Sequence, residues 1–472
     1  MGVPEKKYLR GANLEGANLE NANFQGANFQ GSNLEEANLG RANLQGANLE
    51  SVNLKKANLK GADLIGANLM EANLQLAKLH FANLKNANLQ GADLQGAYLQ
   101  GAYLQLAKLQ GASLYGADLR EANLEEANLQ GTKLGGAKLE RTKLDRVYLI
   151  EANLQEAYLV KANFQGANLQ RVNLKLTYLI KANLQGANLQ EANLEKADLQ
   201  EANLQGTNLK GANLKGANFQ GAKLEEANLE MANLKGASLE RANLKKANLR
   251  RVNLIEANLK EANLQLAKLH LANLQGANLQ GANLQGADLF YANLKESNLE
   301  GADIQGANLQ GVDLDGADFR GADLKGTKLG GAKLDKANLQ GANLREANLE
   351  GVYLIETNLE RANLQGANLI GANLQEAHLE GANLDEANLE EVNLERADLK
   401  ETSLGRANLR KANFEGADFK GTNLEGANLE GAQHLSFYQL SKVKTLHDTK
   451  LDGELLIPLK KKYPVLFEKL DE

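Results

Sequence analysis

From Leu9 to Leu429 a large apolar residue returns at every fifth position, about 85 times, with no insertion or deletion. The residue two places earlier is Ala or another small side chain, such as Ser32, Val52 or Thr132. Asn or Asp usually comes next, then the large apolar residue, a polar residue, and often Gly, as in Ala12-Asn13-Leu14-Glu15-Gly16 and Ala307-Asn308-Leu309-Gln310-Gly311. The large position is Leu almost throughout, with Phe at Phe24, Phe29, Phe164, Phe219, Phe319, Phe414 and Phe419 and Ile at Ile304. A period of five fits neither an α-helix nor a straight strand, so the chain must bend once per unit. Gly at about forty of the bends suits a type II turn, which needs positive φ at its third residue. Where Glu, Lys, Arg or Asn replaces that Gly, a mixture of turn types is expected.

A second, longer period shows in the small position. Val52, Val172, Val252, Val312, Val352 and Val392 are separated by multiples of 20, and only Val147 departs. Four units per coil is therefore predicted, with one side slightly different from the rest. The expected architecture is an all-β solenoid, a four-sided β-helix of about 21 coils, roughly 100 Å tall at the inter-strand spacing of about 4.8 Å. No single unit buries enough to stand alone, so stability must come from neighbouring coils, with protected ends. The repeated Asn tolerates turn geometry, bonds nearby backbone and can form ladders between coils.

These A(N/D)LxG units resemble the pentapeptide-repeat family over about nine tenths of the chain. The resemblance implies a right-handed quadrilateral β-helix. For function it implies little, because members of that family have diverse roles. Some imitate duplex DNA with an acidic rod and regulate or protect a type II topoisomerase such as DNA gyrase. Duplex DNA would carry about 60 charges over 100 Å, whereas the whole chain is formally -6, with Lys and Arg on every side.

The repeat pattern fails at Gln433-His434, which divides the chain into a β-helix over 1–432 and a C-terminal helical cap or tail over 433–472. Ser436 and Gln439 form a capping-box pattern. Leu435, Phe437, Leu440 and Val443, with Thr445 or Leu446 beyond, predict a short amphipathic helix that covers the last coil. Asp452 could cap a second helix, which Pro458 would shorten or kink.

Composition narrows the chemistry. There is no Cys and no Trp, and aromatic residues make up 5%, so the interior must be narrow and thiol chemistry is excluded. The start, from Met1 to Arg10, is charged, Lys6 stands where a myristoylation signal after Gly2 wants Ser or Thr, and no run is apolar enough to span a bilayer. A cytoplasmic location without membrane contact is expected. His80 and His270 sit in near-copies about 9.5 coils apart, roughly 45 Å, while His378, His434 and His447 are isolated. None suggests a metal site. The Asp-rich stretch from Asp303 to Asp335 is interleaved with Arg320, Lys325, Lys328 and Lys333, which argues for a mixed-charge surface over a calcium site. The unbroken repeat also leaves nothing to build a cleft. No enzyme activity and no cofactor are expected.

What remains is binding. Tyr158, Val160, Leu176, Tyr178 and Ile180 should meet on one side, and Met231, His270, Leu271, Phe290 and Tyr291 form a second apolar group, with Leu271 beneath Tyr291. Such patches mark partner surfaces, although stacked rings also stabilise neighbouring coils. The expected role is a rigid, non-enzymatic scaffold with a protein partner. An uncapped end could pair two copies, and nucleic-acid binding is not expected.

Overall fold

In a repeat unit that carries Asn at its second position every backbone N–H finds a partner, and those partners build the coil. In the unit Val52 to Lys56, Val52 N–H closes the preceding turn on Leu49 O at 3.2 Å, and Asn53 N–H reaches back one coil to Ser32 O at 3.0 Å. Leu54 and Lys56 N–H reach forward one coil, to Asn73 O at 2.7 Å and Gln75 O at 2.8 Å. The fifth donor, Lys55 N–H, bonds the Asn53 side-chain Oδ1 at 3.2 Å. Asn thus supplies the one acceptor that the coil-to-coil ladder cannot.

The computed structural model describes residues 9–469, in two compact units that divide after Ser238. In each, the chain winds as a right-handed, four-sided β-helix. Asn13 pairs with Asn33 and Asn33 with Asn53, always in parallel and always 20 residues on, and the other three sides do the same. The core is a dry stack of Leu and Ala, with occasional buried Thr or Ser whose hydroxyls bond a Leu carbonyl, as Thr132 does to Leu129 at 2.7 Å. Two Phe pairs fill adjacent core positions within one coil. Phe24 meets Phe29 edge-on at 5.1 Å in the first unit, and Phe414 lies 5.0 Å from Phe419 in the second.

The expected mixture of turn types does not form. The third turn residue has positive φ at Glu36 (56°), Arg41 (55°) and Leu76 (56°) just as at Gly16 (62°). An L-residue there costs about 1–2 kcal/mol. The turn bond and the forward N–H bond, each about 1 kcal/mol net, hold the corner regardless. The selection left in the sequence is steric. Among the described residues Val, Ile and Thr never occupy a positive-φ corner, although Ile65 and Ile150 stand immediately before one.

Replacing Asn53 by Ala should cost about 1–2 kcal/mol. The change strands Lys55 N–H and breaks the axial amide bonds from Asn53 Nδ2 to Asn33 Oδ1 (3.0 Å) and from Asn73 Nδ2 to Asn53 Oδ1 (3.2 Å). A lower denaturant midpoint with unchanged slope would show it, and Asn53→Asp should recover the turn bond.

After Gln433, which still pairs with Asn413, the chain leaves the lattice. Helix α1, Phe437–Leu440, starts on the expected capping box: Gln439 N–H donates to Ser436 Oγ at 3.2 Å, and Ser436 N–H to Gln439 Oε1 at 2.8 Å. It ends sooner than the spacing of Val443 and Leu446 predicts, because the lattice resumes. Thr445 pairs with Asn423 and Lys450 with Asn428, now 22 residues on, and Asp448 takes the positive-φ corner at 55°. Leu446 and Thr449 then fill core positions rather than a helix face. The departure also covers the last coil, since Gln439 Nε2 donates to Phe414 O at 2.9 Å and to Ala417 O at 3.0 Å.

Helix α2, Gly453–Lys462, begins after Asp452, whose carboxylate accepts from Gly431 N–H at 3.2 Å instead of capping its own helix. Pro458 lies inside α2 without ending it. Leu459 is fully buried one residue later, and a 3-10 turn over Pro464–Phe467 packs against the helix, with Leu446 N–H bonding Leu466 O at 2.6 Å. The expectations drawn from Gly2 and Lys6 lie outside the described residues.

Candidate partner-binding surfaces

The two turn residues of each repeat unit carry most of the charge. Because corner residues repeat every 20, a cation and a carboxylate one coil apart meet along the axis: Lys56 with Glu36 at 3.0 Å, Arg171 with Glu151 at 2.9 Å, Arg241 with Glu261 at 2.7 Å and Lys411 with Glu391 at 2.8 Å. All are exposed and each contributes little. Lys295 takes up both Asp313 (3.1 Å) and Asp315 (3.3 Å), and Arg320 chelates Asp318, so the Asp-rich stretch is a paired, mixed-charge surface. No His, Asp and Glu cluster among the described residues could hold a metal ion.

Among the described residues Asp118 is the most enclosed carboxylate, at 8% exposure. Burial pushes its acid up, but Arg120 outweighs this through side-chain bonds of 2.8 and 2.6 Å, its backbone N–H and its charge. With a further bond from Gln100 at 2.6 Å, the net value falls below the ordinary range. Asp318 is lowered in the same way, chiefly by the Arg320 side chain. A carboxylate whose folded value lies below its unfolded one adds stability above the unfolded value, about 3.9, and loses it as pH falls through the folded value. Urea midpoints should therefore drop on acidification below about pH 4, and Asp118→Asn should flatten that drop.

The first expected apolar group is brought together in part. The rings of Tyr158 and Tyr178 stack at 5.1 Å with a 9° interplanar angle, each 43% exposed. Leu176 is exposed at the corner before Tyr178, while Val160 and Ile180 are half-buried. The second group divides. Met231 is exposed in the first unit. In the second unit His270 stacks on Phe290 at 5.2 Å and Phe290 meets Tyr291 edge-on at 4.4 Å, with Leu271 exposed one coil before Tyr291. Beside them lies an open depression of about 560 Å³, floored by Gly311, Gly330 and Gly331 and rimmed by Asp313 and Lys333. In the C-terminal segment Leu440 and Val443 are buried, while Leu435 and Phe437 are half-buried, the latter 5.7 Å from the Tyr463 ring.

Sequence reasoning missed a third aromatic group, in the first unit. Tyr98 and Tyr103 occupy Asn positions on adjacent sides of one coil, separated by the corner Gly101. Phe81, a corner residue one coil earlier, lies over that glycine so closely that a Cβ on Gly101 would stand 2.6 Å from its ring. His80 stacks on Tyr98 at 5.8 Å. The signal was present: an apolar corner followed 20 residues later by Gly recurs at Leu76 and Gly96, Leu266 and Gly286, and Tyr291 and Gly311. Side chains at these corners lean along the axis onto the bare corner below.

The family model for pentapeptide repeats matches successive stretches over residues 8–230 and 232–433, most of them overlapping. Among solved structures, HetL of the cyanobacterium Nostoc sp. strain PCC 7120, a pentapeptide repeat protein involved in heterocyst differentiation regulation, is 33% identical. The match covers 51% of this chain and 92% of HetL at a TM-score of 0.25. A pentapeptide repeat protein from the Arabidopsis thaliana thylakoid lumen is 25% identical over 26% of this chain and 74% of its own, with a TM-score of 0.18. QnrB1, a plasmid-mediated fluoroquinolone resistance protein, is 18% identical over 39% and 90%, with a TM-score of 0.21. No curated protein matches.

Proposed function

Because this chain belongs to the pentapeptide-repeat family, we propose that it is a non-enzymatic, rigid scaffold that holds exposed aromatic side chains in fixed positions for a protein partner. The observation that carries this reading is the Tyr158–Tyr178 stack. Two rings replace the Asn that would have completed the local hydrogen bonds, and each remains 43% exposed. The lattice loses turn bonds there and gains a preorganised apolar surface of the kind that anchors interfaces. Residues 433–472 serve as the cap that closes the hydrogen-bonding edge of the second unit.

An affinity pull-down with wild-type protein and with Tyr158→Glu/Tyr178→Glu tests the patch. Loss of a specific partner from the double variant is expected, and equal recovery removes this surface from the proposal. Regulation of a type II topoisomerase by DNA mimicry is the alternative. The paired corner charges leave no uniformly acidic column to support it. No effect on gyrase supercoiling at micromolar protein is the expected result.

A further inference from the structure

We propose that the aromatic corner formed by Phe81, Tyr98 and Tyr103 is a docking surface for a protein segment that carries acidic side chains beside aliphatic or aromatic ones. This deepens the scaffold reading and rests on it, but places the contact on a different surface from Tyr158 and Tyr178. Phe81 is 60% exposed, Tyr98 42% and Tyr103 49%. They form one convex strip, because Phe81 lies over the glycine that separates the two tyrosines. Leu76 leans over the corner before Tyr98, and Leu106 is exposed at the corner after Tyr103. Together these five offer on the order of 500 Å² of apolar surface. That is most of the roughly 800 Å² that one partner contributes to a stable interface.

The strip is convex, so the partner must wrap it or offer a groove, and a small ligand would find no enclosure. Charge decides the partner's chemistry. Lys60, Lys78, Lys85 and Lys108 surround the strip, all exposed, and none is within ion-pair distance of a described carboxylate. Elsewhere many cations are taken up by axial ion pairs. The pKa of His80, stacked on Tyr98, is lowered first by burial and then by the charge of Lys60, with Asp118 opposing and Lys78 adding to the shift. The acids beside the strip are already held: Asp93 by Gln75 at 2.6 Å, Asp118 by Arg120, Glu121 by Arg141 at 3.6 Å, and Glu125 and Glu126 by Arg146 at 2.7 and 2.9 Å. A partner supplying carboxylates to the lysine rim and apolar side chains to the strip matches both features.

The lattice supplies its own control. Phe81→Gly, Tyr98→Asn and Tyr103→Asn restore the repeat consensus, place glycine at a positive-φ corner and return turn acceptors for Gln100 and Gln105 N–H. The triple variant should melt no lower than wild type. The probe is a fluorescein-labelled synthetic peptide that alternates Asp or Glu with Leu or Phe, followed by anisotropy against the full chain at low and moderate salt. Wild type should bind it, the triple variant at least about tenfold more weakly, and Lys60→Gln/Lys78→Asn weakly with a flatter salt dependence.

A peptide with Ser in place of Leu and Phe should not bind. Failure of wild type to bind the acidic apolar peptide, equal binding by the triple variant, or tighter binding of a labelled single-stranded oligonucleotide would each overturn the proposal. Binding lost only in Tyr158→Asn/Tyr178→Asn would overturn it too, while leaving the scaffold reading intact.

Discussion

Leu124→Ala should destabilise the first unit by about 3–5 kcal/mol, toward the upper end of the range for buried Leu truncations. Leu124 is fully buried, and its unit is clamped on both sides. Asn123 pairs with Tyr103 and with Lys143, Leu104 N–H bonds Asn123 O at 2.6 Å, and Leu124 N–H bonds Lys143 O at 2.8 Å. Because these bonds fix the coil spacing, neighbouring leucines cannot close over the cavity, so little of the lost contact is recovered. In a nearest-neighbour stack the loss should also be local. Amide exchange should accelerate at Leu104, Leu124 and Leu144, while Leu204 keeps its protection. A cost below about 1 kcal/mol would mean that the leucine column is not packed as described.

Gly311→Val is expected to cost about 3 kcal/mol or more, well beyond an ordinary surface change, for two separable reasons. The position has φ of 64°, where a β-branched residue is strained, and an added Cβ would stand 2.6 Å from the Tyr291 ring. Gly306 has the same φ of 64° with nothing near its Cβ position, so Gly306→Val measures strain alone. Gly306→Lys should cost under about 1–2 kcal/mol, since Lys56 already occupies such a corner. Adding Tyr291→Ala to Gly311→Val should return the steric part and leave the strain. If Gly311→Val and Gly306→Val cost the same, the ring does not cover Gly311, and the pairing of apolar corners with glycines is wrong.

The two predictions probe different grades of legibility. Leu124 could be assigned to the core from spacing alone, because a buried position in this chain is defined by its place in a five-residue frame. The cover over Gly311 could not, since it depends on Tyr291 turning along the axis rather than outward. The same gap explains the surfaces. Tyr158 and Tyr178 were legible as a pair because both depart from Asn at a separation of 20, and they stack. Phe81, Tyr98 and Tyr103 escaped notice because the three occupy different positions of the frame and meet only where a corner glycine lets a ring lie across it.

By itself, the sequence determined the coil. A period of five with Asn before Leu fixes where each N–H can go, and a valine period of 20 sets four sides, because both are written in the spacing of residues along the chain. Only the tertiary structure decided the uniform corner, the axial ion pairs, the return of the lattice at Thr445 and the aromatic strip. Each of those is a contact between residues about one coil apart whose outcome depends on competing bonds or on which way a side chain leans. Neither is written in a period.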